Sequence, residues 1–243
     1  MPTSRAEMPL AGEGAPEPRR LVSDEVRPGR RNLLIFLTIL AYLYFRGIGD
    51  HGLLDPMEGV HASVGLTMAT QGDLLHPGVG EAPYAGRAMG TWWLHALALK
   101  AFGWEEFAVR FWSAAAGLGM ALAAALASRG RGAWIAAAVS ASMVMGFTVS
   151  HLASSHALYA CCTAMSMAAF VRLQRGEGRR WALLAHAGAL AAFVVQGPEG
   201  LLLPWTTLIL HSTLTSGFGP LTLCWRYWPA ALISLAGVSG YVA

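Results

Sequence analysis

The sequence predicts an all-α polytopic membrane protein, with about seven transmembrane helices and one or two interfacial helices in a long first outer loop. Three observations predict it. The 243 residues are 55% hydrophobic and only 13% charged, against roughly 25% charged in soluble domains. Long apolar runs recur along the chain, many near the ~20 residues that a spanning helix needs. Of the 17 basic residues, all but Lys100 are arginines, and they gather between the apolar runs, where basic residues mark cytoplasmic loops. The net charge of +3 is small and local, so nucleic acid is not an expected partner.

Residues 1–31 are rich in Pro, Gly, Glu and Arg without hydrophobic periodicity. They read as a disordered cytoplasmic tail, and residues 32–243 as the transmembrane module. The apolar run starts late, after Asn32, and no small-residue cleavage site follows it, so this is not a secretory signal. The first span, 32–48, follows Arg27, Arg30 and Arg31, which keeps the N-terminus inside. The polar stretch 49–87 then lies outside, in the periplasm or its equivalent, and the first outer loop extends to 106.

Residues 89–102 carry Trp92, Trp93, His95 and Lys100. They are too few to span and read as an interfacial helix that Gly103-Trp104 ends. The run 107–127 goes inward, before Arg129 and Arg131. The run 133–149 goes outward, and 157–173 returns before Arg175, Arg179 and Arg180, with Arg172 at its end. The run 181–195 goes outward, 196–200 breaks the helix, 201–214 comes back and 227–242 goes outward. With 89–102 off the span count, every arginine cluster falls inside.

That topology collects Asp50, Asp55, Glu58, Arg87, His151, His156 and Glu199 at the outer face, with His61 and Gln196 as further polar residues of the same cleft. Ionisable groups gathered at one end of an apolar bundle form a candidate site. Asp55-Pro56 also reads as a helix N-cap with proline at the first helical position, and Glu58 fits the first turn. Cys161, Cys162 and Cys224 show neither CxxC nor metal-ligand spacing, so no disulfide framework or zinc site is expected. No internal repeat of the kind transporters carry is apparent.

Four motifs in order resemble one family. Glu58–Pro77 reads EGVHASVGLTMATQGDLLHP, ArgAlaMetGlyThrTrpTrpLeu follows at 87–94, Phe102-Gly103 precedes Phe107-Ala108-Val109-Arg110-Phe111, and GlyProGluGlyLeuLeuLeuPro occupies 197–204. The chain thus resembles, from about Asn32 onward, the N-terminal part of the GT-C integral-membrane glycosyltransferases, which include protein O-mannosyltransferases and the lipid A aminoarabinose transferase.

The resemblance implies a sugar moved from a polyprenyl-phosphate donor to a lipid, glycan or protein acceptor at the outer membrane face. Inversion at the anomeric carbon calls for a general base on the acceptor, and the departing lipid phosphate calls for a cation or a metal. Asp55 is the expected base with Glu58 as its partner. Arg87, at the family's lysine position, is the expected phosphate ligand. Met57 stands where the family has the aspartate of an acidic pair; Tyr159 and Gln196 also replace charged family residues. A divalent metal has no clear ligand set here. Membrane lipids, and a separate C-terminal module or subunit, complete the expected partners. The alternative is a non-catalytic or truncated relative that binds lipid or serves as an assembly subunit.

Overall fold

The computed structural model of the chain describes residues 30–54, 56–80, 82–84 and 89–215. The tail at 1–29 and the span expected at 227–242 lie outside them. Helix α1, Arg30–Phe45, is apolar throughout except at its start. Helix α2, Met57–Gln71, stops at Gly72, whose left-handed φ of 75° lets its N–H return to the Met68 carbonyl at 3.1 Å, a common glycine helix terminus. A two-residue hairpin follows, β1 (Gly78–Val79) against β2 (Ala82–Pro83), in register Gly78↔Pro83.

Helix α3, Gly90–Phe102, is the short element expected at the interface. It packs on α2 through Val64, Met68, Trp92 and Ala96, with Tyr84 edge-on to Trp92 at 5.5 Å. Trp93 Nε1 donates to the Leu74 carbonyl at 2.8 Å. Helix α3 therefore presents more than one apolar face, because it is walled in by neighbouring helices.

Helices α4 (Glu106–Ala127) and α7 (Ser155–Gln174) are long and apolar enough to cross a membrane. Helix α7 packs against α4 on one side and, through small residues, against α8 (Arg180–Gln196) on another. A Cβ on Gly188 would stand 3.0 Å from the Cys162 carbonyl oxygen, and Ser166 Oγ donates to the Ala185 carbonyl at 2.8 Å. Close backbone approach at small residues is how helices associate where no water drives them together.

The single span expected over 133–149 is instead two helices. These are α5 (Arg131–Ser142) and α6 (Val144–Ser150), bent by 65° at Met143, whose backbone is extended at φ −66° and ψ 115°. Broken helices leave backbone groups that must find partners inside a membrane. Here the Tyr44 hydroxyl donates to the Ala141 carbonyl at 3.4 Å, and the Tyr44, Phe147 and His151 rings fill the inside of the bend. Helix α9, Pro198–Thr215, carries Pro204 in its interior. It leaves α8 at Gly197, φ 89°, where the break was expected.

Among the described residues two helices are spans by length and composition, three if the bent pair counts as one; α1 and α8 are apolar but shorter. The all-α architecture stands, apart from the hairpin, while the described residues do not confirm the count of seven spans. One packing contact gives a direct test. A Cβ on Gly90 would lie 2.6 Å from the Val194 backbone oxygen, so Gly90→Val pushes α3 off α8. It should cost about 1–3 kcal/mol, read as a lower unfolding midpoint in detergent; an unchanged midpoint would contradict this packing.

Candidate functional site

The helix ends expected to face outward are organised by one buried ion pair. Glu58 sits in the first turn of α2, and Arg110 one turn into α4. They are 2% and 0% exposed. Arg110 Nε donates to Glu58 Oε1 at 2.9 Å and Nη2 to Oε2 at 2.7 Å. Its remaining N–H groups donate to the carbonyls of Ile48 (2.7 Å), His51 (2.8 Å) and Gly52 (2.9 Å). All five guanidinium donors are therefore engaged. Glu58 accepts two more bonds, from the N–H groups of Leu54 at 2.7 Å and Ala153 at 2.6 Å. Burial works against its charge, but Arg110 and the two backbone N–H groups prevail and hold the carboxyl below its ordinary range.

This pair changes the reading of Glu58. Each carboxylate oxygen already accepts two hydrogen bonds, and the group faces inward, so it binds the site together instead of facing an open cleft. It ties four pieces: the 48–54 strand of loop, α2, α4 and the α6–α7 turn at Ala153. The N-cap expected at Asp55 lies outside the described residues; Pro56, just before α2, has helical backbone at φ −93° and ψ −12°, and Glu58 stands in the first turn. Asp55 and Arg87 lie outside the described residues. Their described neighbours are held: Leu54 by Glu58, and Gly90, three residues after Arg87, by close contact with α8.

The other expected residues divide. His61 is 6% exposed and packs edge-on to His95 across the α2–α3 interface, ring centroids 5.6 Å apart; it is a buried residue, not a cleft residue. His151 closes α6, its Nδ1 2.9 Å from the Phe147 carbonyl oxygen, and its ring lies tilted against Phe147 with centroids 4.1 Å apart. His156 is exposed near the start of α7. Gln196 ends α8 with a buried Oε1 that has no partner among the described residues, and Glu199 is exposed at the start of α9. The three segments expected at one face do meet: Glu58 reaches Ala153, Thr91 Oγ1 donates to the Val195 carbonyl at 3.2 Å, and the Tyr159 hydroxyl donates to the Glu199 carbonyl at 3.4 Å. Asp50 lies at the end of the turn after α1, its N–H on the Gly47 carbonyl at 3.2 Å.

Two residues were missed as site builders. Arg110 was visible only as the arginine of a short motif. A lone arginine inside an otherwise apolar helix is itself the signal, because buried charge demands a partner. His95 is the second. Burial first, and then the neighbouring charge of His61, push its pKa down to about 3. An imidazole depressed below its unfolded value near 6.5 binds fewer protons folded than unfolded, so stability should fall as pH drops from about 6.5 toward 3. His95→Gln should remove that part of the acid sensitivity, measured as unfolding midpoint against pH; an unchanged pH slope would contradict it.

A cavity of about 260 Å³ opens beside this node, lined by Leu53, Ala62, Leu66, Leu99 and Val109, with Glu105 and Glu106 along its wall. Among the described residues no group of three or more His, Cys, Asp or Glu is placed to hold a metal ion.

No family model matches the chain, and no curated protein matches it in sequence. Its fold matches ArnT from Cupriavidus metallidurans in two crystal structures. Against the apo state the TM-score is 0.79 at 18% identity, covering 87% of this chain and 41% of ArnT. Against ArnT bound to undecaprenyl phosphate the TM-score is again 0.79 at 18% identity, covering 88% and 41%. The chain thus spans about two fifths of the length of these structures. Its helices build an integral-membrane protein with a GT-C-like fold of the ArnT type.

Proposed function

We propose that this protein is a membrane glycosyltransferase that moves a sugar from a polyprenyl-phosphate donor to a lipid, glycan or protein acceptor at the outer membrane face. In this reading the N-terminus is cytoplasmic, the membrane is the inner or plasma membrane, and the active face is periplasmic or extracellular. The observation that carries it is the Glu58–Arg110 pair, which clamps the loop leading into Asp55 within a fold shared with ArnT, a protein crystallised with undecaprenyl phosphate.

Asp55 takes the proton from an acceptor hydroxyl as that oxygen attacks the anomeric carbon. The bond from the anomeric carbon to the phosphate oxygen breaks, and the lipid phosphate leaves as an anion. Arg87 meets that anion through paired N–H donors. Glu58 and Arg110 act through position: a base one ångström out of place loses much of its effect. His151, His156, Gln196 and Glu199 border the same outer face and are candidates to contact sugar or acceptor hydroxyls. The test is transfer from polyprenyl-phosphate hexose and pentose donors in membranes holding the wild type or Asp55→Asn; equal transfer by both removes Asp55 from the mechanism.

A second reading has an observation of its own. Met57, Tyr159 and Gln196 replace charged residues of the family pattern. On that reading the protein is a lipid-binding or assembly subunit that works with a separate C-terminal module. It predicts donor binding without turnover by the purified chain and a stable complex with a second membrane protein; sugar transfer by the purified chain alone would exclude it.

A further inference from the structure

At the end opposite the candidate site, α4 and α7 finish and α5 and α8 begin. The two turns carry Arg129, Arg131, Arg172, Arg175, Arg179 and Arg180, and Glu177 is the single acidic residue between 107 and 198. Glu177 does not neutralise the patch; it builds it. Gly176 (φ 76°) and Gly178 (φ 109°) turn the chain on either side of it, a backbone shape that side-chain-bearing residues resist. Its Oε1 accepts from Arg129 at 3.2 Å and its Oε2 from Arg172 at 2.6 Å. Arg172 Nε also donates to the Leu126 carbonyl at 2.5 Å. The α4–α5 and α7–α8 turns are thus tied into one platform.

On that platform Arg175, Arg179 and Arg180 are exposed and form no ion pair among the described residues. Arg172 and Arg180 both lie over the Trp181 ring, 5.3 and 5.6 Å from its centroid. The same ring packs into the apolar cluster of Phe170, Leu173 and Leu208, so the arginines are held at the level where helix meets water. Neither α5 nor α8 has a side-chain cap at its N-terminus or an acidic residue in its first turn. Arginines at helix N-termini oppose the helix dipole, and an anion among them relieves both.

We infer that this platform binds the headgroup of an anionic phospholipid from its own leaflet: a phosphodiester without a compensating amine, held by Arg175, Arg179 and Arg180 with Trp181 at the headgroup–acyl boundary. Its position at the ends of two spanning helices selects a lipid over a soluble anion. The inference stands apart from the transferase reading, since it uses the other membrane face and no residue of the outer node.

The test is native mass spectrometry of the full chain released from bilayers with equal phosphatidylglycerol and phosphatidylcholine. The wild type should retain phosphatidylglycerol selectively. Each of Arg175→Gln, Arg179→Gln and Arg180→Gln should lower that retention about fivefold, with phosphatidylcholine retention and helicity unchanged. Equal retention of the two lipids by the wild type, no loss in the arginine variants, or displacement of phosphatidylglycerol by millimolar inorganic phosphate would overturn the inference.

Discussion

Asp55→Asn is expected to lower sugar transfer by about 10²–10⁴-fold, the usual range for removing a general base. The asparagine keeps the size and most of the hydrogen bonding of aspartate but cannot accept the acceptor's proton. The loss should therefore appear in kcat, with donor binding kept, because the phosphate is assigned to Arg87. Arg87→Gln should show the complementary pattern, with weaker donor binding as well as slower transfer. The loop makes this a fair test. Leu54 is bonded to Glu58, and the carbonyls of Ile48, His51 and Gly52 are bonded to Arg110, so the substitution leaves the support around residue 55 intact. A fall in donor affinity with unchanged kcat would move Asp55 from the base role to donor binding.

The second large effect is on stability. Arg110→Met should destabilise the protein by about 3–5 kcal/mol, because it leaves the Glu58 carboxylate buried without its counter-charge. It also strands three carbonyls that Arg110 now satisfies. Arg110→Lys should rescue little: an ammonium has three donors and no planar fork, while five acceptors surround the guanidinium. The double variant Glu58→Gln/Arg110→Met should be more stable than Arg110→Met alone, since the uncompensated charge is gone. Acid supplies the same test without mutation. Glu58 has a depressed pKa in the folded state. Its contribution is complete above the unfolded value near 4.3 and is lost only as pH falls below that toward the folded value. Thermal unfolding in detergent, followed by helical circular dichroism, reads all of these. A melting midpoint in Arg110→Met equal to that of the wild type would show that the pair contributes nothing net.

The helix order was legible in the sequence because apolar run length and arginine placement are strong, local signals. The short α3, the break at Gly197-Pro198 and the separation of the outer segments from the arginine turns all follow from them. The bend at Met143 was not legible. No proline or glycine stands at the break, and what accommodates it is the Tyr44 hydroxyl, about a hundred residues away in sequence. The buried pair was half legible. Glu58 was singled out for its motif, and Arg110 was quoted in another. That one would use all its donors on the other and on the 48–52 loop is a tertiary fact, set by a pairing 52 residues apart. His61 was misplaced for the same reason: its surroundings are made by His95 on another helix. Of the residues whose chemistry is proposed, Arg87 is legible from motif position, while Asp55 stands two residues before Met57, which occupies the family's aspartate position; both lie outside the described residues.

The central claim is that this chain transfers sugar from a polyprenyl phosphate. The most direct measurement supplies the purified wild type, in liposomes, with polyprenyl-phosphate hexose or pentose donors and a cell-envelope acceptor fraction, and follows release of free polyprenyl phosphate together with sugar incorporation. Stoichiometric release and incorporation are expected in the wild type, and neither in Asp55→Asn. Intact donor after incubation with folded wild type, under conditions where the donor is bound, would contradict it.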